Sequence, residues 1–385
     1  MRKALTLAST SCLMLLGCAS NSPADEEAAI PDQDTAADTS GTEDFTTEFE
    51  AVEHDHFDAP WALEFLPGTD DLVITERTGG LMLRDQDSGE TREISGAPEV
   101  DSAGQGGMHD VIASSTFDED QLIYLSWVRS VNGSAQGVVG RAELDRDDAA
   151  LGDIDEIWQQ DPASGNGHFA LRMLADEDHL FITSGDRQEL DPAQDMESNL
   201  GTILRLTLDG EPAPDNPFAE EGGTAADFYT VGHRNPLGIA ADSHGNIWSS
   251  EMGPEGGDEL NLLREGANYG WPEVSMGTHY DGREIPDHSG DDDFEAPRAY
   301  WVPAISPGNL MIYQGDLFEG WQDSALLGGL SGQNLVRVAL DEESADPIQE
   351  WDMGERIRAV EEAPDGAIWI ATDDGALMEL VPERD

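Results

Sequence analysis

Beyond residue 54 the chain repeats one phrase six times: a turn carrying Gly or an acidic residue, a short apolar strand, a second turn and another strand. It reads Asp71-Leu72-Val73-Ile74-Thr75 before Leu81-Met82-Leu83-Arg84, and Gln121-Leu122-Ile123-Tyr124-Leu125 before Gly140-Arg141-Ala142-Glu143-Leu144. It returns at His179-Leu180-Phe181-Ile182-Thr183 before Thr202-Ile203-Leu204-Arg205-Leu206, and at Gly245-Asn246-Ile247-Trp248-Ser249 before Glu259-Leu260-Asn261-Leu262. The last copies are Ser324-Ala325-Leu326-Leu327-Gly328 before Leu335-Val336-Arg337-Val338, and Gly366-Ala367-Ile368-Trp369-Ile370 before Leu377-Met378-Glu379-Leu380. A strand pair of this length cannot bury its own apolar faces, so repeated units must stack on one another, and a spacing of roughly 40 to 80 residues suits propeller blades with loop insertions. No apolar period of 3.6 residues is sustained, which leaves little room for helices. The repeats therefore predict an all-β fold, a six-bladed β-propeller with strand material from near the N-terminus closing the ring. A pair of all-β sandwich domains is the alternative that strand spacing alone leaves open.

Charge narrows the partners. The 385 residues carry 81 Asp plus Glu against 19 Lys plus Arg, a formal charge of −62, which repels phosphate and argues against nucleic acid. With 38% hydrophobic residues the chain still has material for a large core, so the acidity belongs to its coat. Lys3 is the only lysine, and it lies in a segment that reads as a secretory signal: Arg2 and Lys3, then Ala4 to Ala8 and Leu13 to Leu16. Schiff-base and P-loop chemistry are thereby excluded from the mature chain. The apolar run is too short to span a membrane, and it ends in Leu15-Leu16-Gly17-Cys18, which resembles a bacterial lipobox. The expected organisation is a signal peptide over 1–17, an acidic disordered tether over 18–45 and a propeller over 46–385. The protein is then held at the periplasmic side of the cell envelope by a lipid on Cys18. Cys18 is the sole cysteine after cleavage, so no disulfide framework forms. Carboxylates in place of lysine suit high salt, and a halophilic source is expected.

Five polar segments interrupt the strands: Gly104-Gln105-Gly106-Gly107, Gly165-Asn166-Gly167-His168-Phe169, Gly232-His233-Arg234-Asn235-Pro236, Glu251 to Glu259, and Glu355-Arg356-Ile357-Arg358. Each alone reads as a turn or a surface ion pair. Spread at about one per blade, they gain meaning, because a propeller gathers such loops at one end of its channel.

Together with Phe57-Asp58-Ala59-Pro60-Trp61-Ala62-Leu63, Gly185-Asp186-Arg187, Asp215-Asn216-Pro217-Phe218 and Asn268-Tyr269-Gly270-Trp271-Pro272, these segments resemble the pyrroloquinoline-quinone (PQQ)-dependent soluble aldose sugar dehydrogenases of the glucose/sorbosone dehydrogenase family. The resemblance runs from residue 54 to the C-terminus. It implies PQQ and calcium as cofactors, an aldose as substrate and an external electron acceptor. It makes His168 the general base at the anomeric hydroxyl and Arg234 the stabiliser of charge developing on the quinone, with Asn235 and Gln105 contacting the cofactor. Arg356 and Arg358, two apart on an extended segment, clamp carboxylates. Gly253 and Pro254 offer carbonyls to the catalytic calcium. Glu259 and Tyr269, with Ser275, match a second, structural calcium.

Three departures stand out. Ser331, in Gly329-Leu330-Ser331-Gly332, occupies a position usually held by a cofactor-contacting Lys or Arg, with Gln333 or salt cations left to compensate. Ala170 replaces a glycine after His168-Phe169, and Met252 replaces a polar residue before Gly253. A non-catalytic, envelope-anchored binding or scaffold propeller is the competing reading, and Ser331 is its best support. A calcium-dependent lactone hydrolase is disfavoured, because its metal needs side-chain carboxylates where these motifs offer carbonyls and arginines. Trp301 is a candidate either for stacking on a sugar or for the core.

Overall fold

In the computed structural model, residues 49–383 are described, and they build six antiparallel sheets, five of four strands and one of five. The expected signal peptide, Cys18 and tether lie outside the described residues. Each sheet runs outward from an innermost strand: Pro60–Phe65 in blade 1, Met108–Ala113 in blade 2, Ala170–Ala175 in blade 3, Pro236–Ala241 in blade 4, Pro307–Tyr313 in blade 5 and Ile357–Glu362 in blade 6. Each innermost strand neighbours the next, and the last meets the first, so the six close a ring around a channel. The repeated phrase supplies the second and third strand of every blade. The outermost strand of blade 6 is Phe49–His56, paired antiparallel with Ala376–Pro382, so the N-terminal strand does close the ring.

Strand parity explains why sheets stack here instead of leaving one face in water. In Leu122–Val131 of blade 2, Ile123 and Leu125 pack toward blade 1 while Tyr124 and Val128 pack toward blade 3. In Ser324–Gly329 of blade 5, Ala325 and Leu327 face blade 4 while Leu326 faces blade 6. Both parities are apolar, so both faces are buried. Six apolar layers result, one between each pair of adjacent blades. The sandwich alternative, whose outer faces would be polar, is excluded. Among the described residues helix is limited to one four-residue turn, Phe117–Asp120, and two 3-10 turns, and none is long and apolar enough to cross a membrane.

Antiparallel connectivity puts the loops leading into each innermost strand at the same end as the connections between second and third strands. All five polar segments fall in these two loop classes. Below that end, Arg172 ties the ring together: it pairs with Asp110 at 2.9 Å and donates to the carbonyls of Trp61, Leu237 and Gly308. These partners sit in four other blades, so the buried Arg172 serves architecture and has no part in the site.

Candidate active site

At this end of the channel lies a cavity of about 490 Å³, bordered by Gln105, Asn235, Leu330, Arg356, Arg358 and Asp373. His168 stands beside it in the loop leading into blade 3. Its backbone N–H donates to Gln105 Oε1 at 2.7 Å, and its Nδ1 lies 2.6 Å from Asp186 Oδ1. Asp186 is buried; burial alone would raise its pKa, but the bonds from His168 and from Gln188 N–H hold it below the ordinary carboxylate value. An ionised Asp186 can only accept, so Nδ1 carries the proton and the Nε2 lone pair is left for a substrate. Burial, with the charges of Arg234 and Arg187, lowers the His168 pKa against the opposing pull of Asp186, keeping the imidazole neutral near pH 7.

The surroundings fix this geometry. Arg187, fully buried, stacks 3.7 Å over the Phe169 ring and donates to the carbonyls of Gly165, Gly167 and Ala135, bracing the His168 loop. A Cβ on Gly185 would collide with the His168 carbonyl, which explains the glycine there. His168, Ala170 and Leu171 all take positive φ, at 49°, 58° and 63°. The extra methyl of Ala170 therefore meets backbone strain, and the His168–Asp186 contact persists beside it.

Arg234 stands just behind the cavity lining, next to Asn235 and Met252, which border it. Its Nη1 donates to the Met252 carbonyl at 2.8 Å, and its guanidinium lies 5.3 Å from the Trp271 ring centre. Trp271 Nε1 donates to Asp186 Oδ2 at 2.8 Å, so one indole touches both the arginine and the partner of His168. Glu251, buried, accepts from Arg234 N–H at 2.7 Å and from His233 Nδ1 at 3.0 Å, locking the loop into blade 4. Asn235 follows, its amide oxygen buried with no partner.

On the opposite wall, Nε of Arg356 and Nε of Arg358 donate to the two oxygens of Asp373 at 2.6 and 2.8 Å, so the two arginines do share a side. Arg358 stacks 4.0 Å from the Trp61 ring centre. Their combined charge exceeds that of Asp373 by one, which suits a carboxylate-bearing planar ligand. Ser331 Oγ is within 2.8 Å of Ser306 Oγ and 3.1 Å of the Ala304 carbonyl, so the cation missing at this position is not supplied by it. Gln333 turns its amide to the Gly354 carbonyl and does not border the cavity.

The expected metal positions lie beside Arg234. Gly253 N–H donates to Asp258 Oδ1 at 2.9 Å, while the carbonyls of Gly253 and Pro254 accept no hydrogen bond among the described residues. Glu259 shares a void of about 10 Å³ with Glu251, Tyr269 and Ser275. Burial and the charge of Glu251 push the Glu259 pKa well up, the mark of a carboxylate short of positive charge. Asn261 Nδ2 bridges the two at 3.0 and 3.2 Å. The Tyr269 side chain is engaged elsewhere, donating to the Leu262 carbonyl at 2.6 Å and stacking on His233, so only its backbone faces a metal role. No cluster of three or more His, Cys, Asp or Glu suited to a metal occurs among the described residues.

The structure thus brings His168, Gln105, Arg234, Asn235, Arg356 and Arg358 to one end of the channel, with Gly253 and Glu259 adjacent. Sequence reasoning gave no role to Asp186, Trp271, Glu251 or Asp373. Asp186 and Trp271 lay inside quoted phrases, but nothing local separates one carboxylate from 81. Trp301 packs from the outermost strand of blade 4 against the apolar layer shared with blade 5, which is a core role.

The family profile described as Glucose / Sorbosone dehydrogenase matches residues 57–379. The chain is 35% identical over 343 residues to the aldose sugar dehydrogenase YliI of Escherichia coli K12, covering 86% of this chain and 92% of that one. Its fold superposes on the apo-form crystal structure of the soluble aldose sugar dehydrogenase from Escherichia coli with a TM-score of 0.83 at 33% identity, over 87% of this chain and all of the other. The PQQ-bound aldose sugar dehydrogenase from Streptomyces coelicolor gives 0.74 at 28% identity, over 88% and 99% of the two chains. With its channel-end cavity, its six blades and a profile that spans nearly all of them, the chain belongs to the glucose/sorbosone dehydrogenase family.

Proposed function

We propose that this protein is a PQQ- and calcium-dependent aldose sugar dehydrogenase that oxidises its substrate at C1 to the lactone. The observation that carries the reading is the His168–Asp186 pair beside a cavity bordered by the paired Arg356 and Arg358. The residues fit an anionic quinone: Arg356 and Arg358 would hold its carboxylates, and Asn235, whose amide oxygen lacks a partner, and Gln105 border the same cavity and would contact its ring. Gly253 and Pro254 would hold a calcium beside it through their carbonyls, and Glu259 with the Tyr269 carbonyl a second. When bound, the quinone would supply the acceptor for the hydride leaving C1, with calcium as Lewis acid.

The chain's own groups do the rest. Nε2 of His168 takes the proton of the anomeric hydroxyl, and the Asp186 carboxylate stabilises the imidazolium that forms. Arg234, held by Met252 and Trp271, fixes positive charge at the reacting face. Electrons then pass to an external acceptor, at the cell envelope where a lipid on Cys18 would anchor the enzyme.

Reconstitution of residues 46–385 with PQQ and calcium in high salt, followed by dye reduction with glucose and other aldoses, tests the reading. Calcium-dependent turnover is expected, and His168→Ala should lower kcat by about 10²- to 10⁴-fold while the cofactor still binds. Binding of neither cofactor nor sugar-dependent turnover would transfer the case to the non-catalytic propeller, which Ser331 favours.

A further inference from the structure

Residues 275–286 form a finger between the third and fourth strands of blade 4. Its base is closed by Ser275 N–H on the Pro286 carbonyl at 2.9 Å, and its flank by the reciprocal pair of Thr278 with Glu255, at 2.8 and 3.2 Å. Its tip is a tight turn, with Gly282 N–H on the His279 carbonyl at 2.8 Å, His279 N–H on the Arg283 carbonyl at 3.0 Å, and Gly282 at φ 82°. Asp281 accepts from Arg283 and locks the turn from inside. Every other side chain of the tip is polar or glycine, as turn chemistry favours. Tyr280 alone is a large aromatic, and it is 73% exposed.

The finger rests on the Glu255 loop, next to Gly253 and Pro254, and so directs Tyr280 to the catalytic end. The Arg234 guanidinium lies 5.8 Å from the Tyr280 ring centre, and Nη2 is 3.4 Å from the hydroxyl. That contact is too long to hold Arg234, which Met252 and Trp271 already fix. Tyr280 contributes nothing to the core and does not border the main cavity. An exposed ring on a braced turn is pre-organised for a ligand, since little ordering entropy remains to be lost on binding. A pyranose offers a C–H-rich face to such a ring and hydroxyls to the phenol and Arg234 beside it.

We propose that Tyr280 forms an outer sugar subsite, stacking on the pyranose next to the one being oxidised, so that reducing disaccharides are bound better than monosaccharides. The proposal rests on the dehydrogenase reading above. The ring lies outside the cavity, on the solvent side of Arg234, where a monosaccharide at His168 has little left to offer and a second ring would lie.

The test is steady-state kinetics of the reconstituted enzyme with glucose and maltose. Tyr280→Ala should raise KM for maltose about tenfold and that for glucose less than threefold, and Tyr280→Phe should keep the wild-type preference, because the ring is retained. Equal effects on both sugars, a loss confined to kcat, or a Phe variant as impaired as the Ala variant would each overturn the subsite; the last two would assign Tyr280 to the positioning of Arg234. A wild-type protein that oxidises neither sugar fails the underlying reading itself, whereas an active wild type with an indiscriminate Ala variant fails only the subsite.

Discussion

His168 reaches its working position through backbone that an L-residue adopts reluctantly. Positive φ at His168, Ala170 and Leu171 costs on the order of 1 to 2 kcal/mol each, offset by the bonds of Arg187, Gln105 and Asp186 around the loop. The same contacts set the proton chemistry. Asp186 accepts from His168, Gln188 and Trp271 together, which a neutral amide cannot do. Asp186→Asn should therefore lower kcat by about 10²- to 10⁴-fold, with the tautomer no longer fixed and the imidazolium unsupported. It should also shift the pH profile. The wild-type His168 pKa lies below its ordinary 6.5, so kcat/KM should fall only as pH drops beneath that value. Asp186 pulls this pKa upward, so its loss moves the acid limb to still lower pH. Matching limbs in the two enzymes would show that His168 is not the titrating base.

At the scale of elements, the strand Phe49–His56 is covalently remote from the blade it completes. It pairs along its length with Ala376–Pro382, Phe49 packs 5.2 Å from Trp351, and His54 Nε2 lies 2.7 Å from Glu379. Without it, the edge of blade 6 is unpaired and the two ends of the chain are no longer tied. A chain beginning at residue 57 should melt on the order of 10 °C lower than one beginning at residue 46, read by calorimetry. An unchanged transition would mean that the ring closes without this strand. The repeats revealed the second and third strands because these are short, apolar and bounded by turns. Phe49–His56, largely exposed and rich in His and Glu, carries no such pattern, so the sequence indicated closing strand material near the N-terminus without locating it.

For the molecule as a whole, the distribution of cations matters as much as their scarcity. Arg84, Arg172, Arg187, Arg205, Arg234, Arg337 and Arg358 are all buried, holding loops, ring and site, so the surface is more anionic than the composition alone conveys. Self-repulsion over such a surface is relieved when salt shortens its range to a few ångströms. Raising NaCl from about 0.1 to 2 M should raise the melting temperature by on the order of 10 °C. A flat response would remove the case for a halophilic source. An acceptor that docks near the channel mouth must in turn tolerate, or match, this negative field.

The sequence by itself pointed to a propeller, because six short strand pairs that cannot bury their own apolar faces must stack, and the sandwich alternative fell only when the structure showed strands packed on both faces. It also marked His168, Arg234, Arg356 and Arg358, through polar segments spread at about one per blade and their resemblance to the family's motifs. The tertiary structure decided which partners give those residues a function. Asp186, Trp271 and Asp373 act on residues 15 to 85 positions away, and Tyr280 gains meaning only from a finger folded back over blade 4. Arg172, adjacent in sequence to the His168 loop, was carried inward to bind the ring because a strand turns successive side chains to opposite sides. Contacts of this kind depend on where closure of the ring places each loop, and no local pattern in the chain encodes that distance.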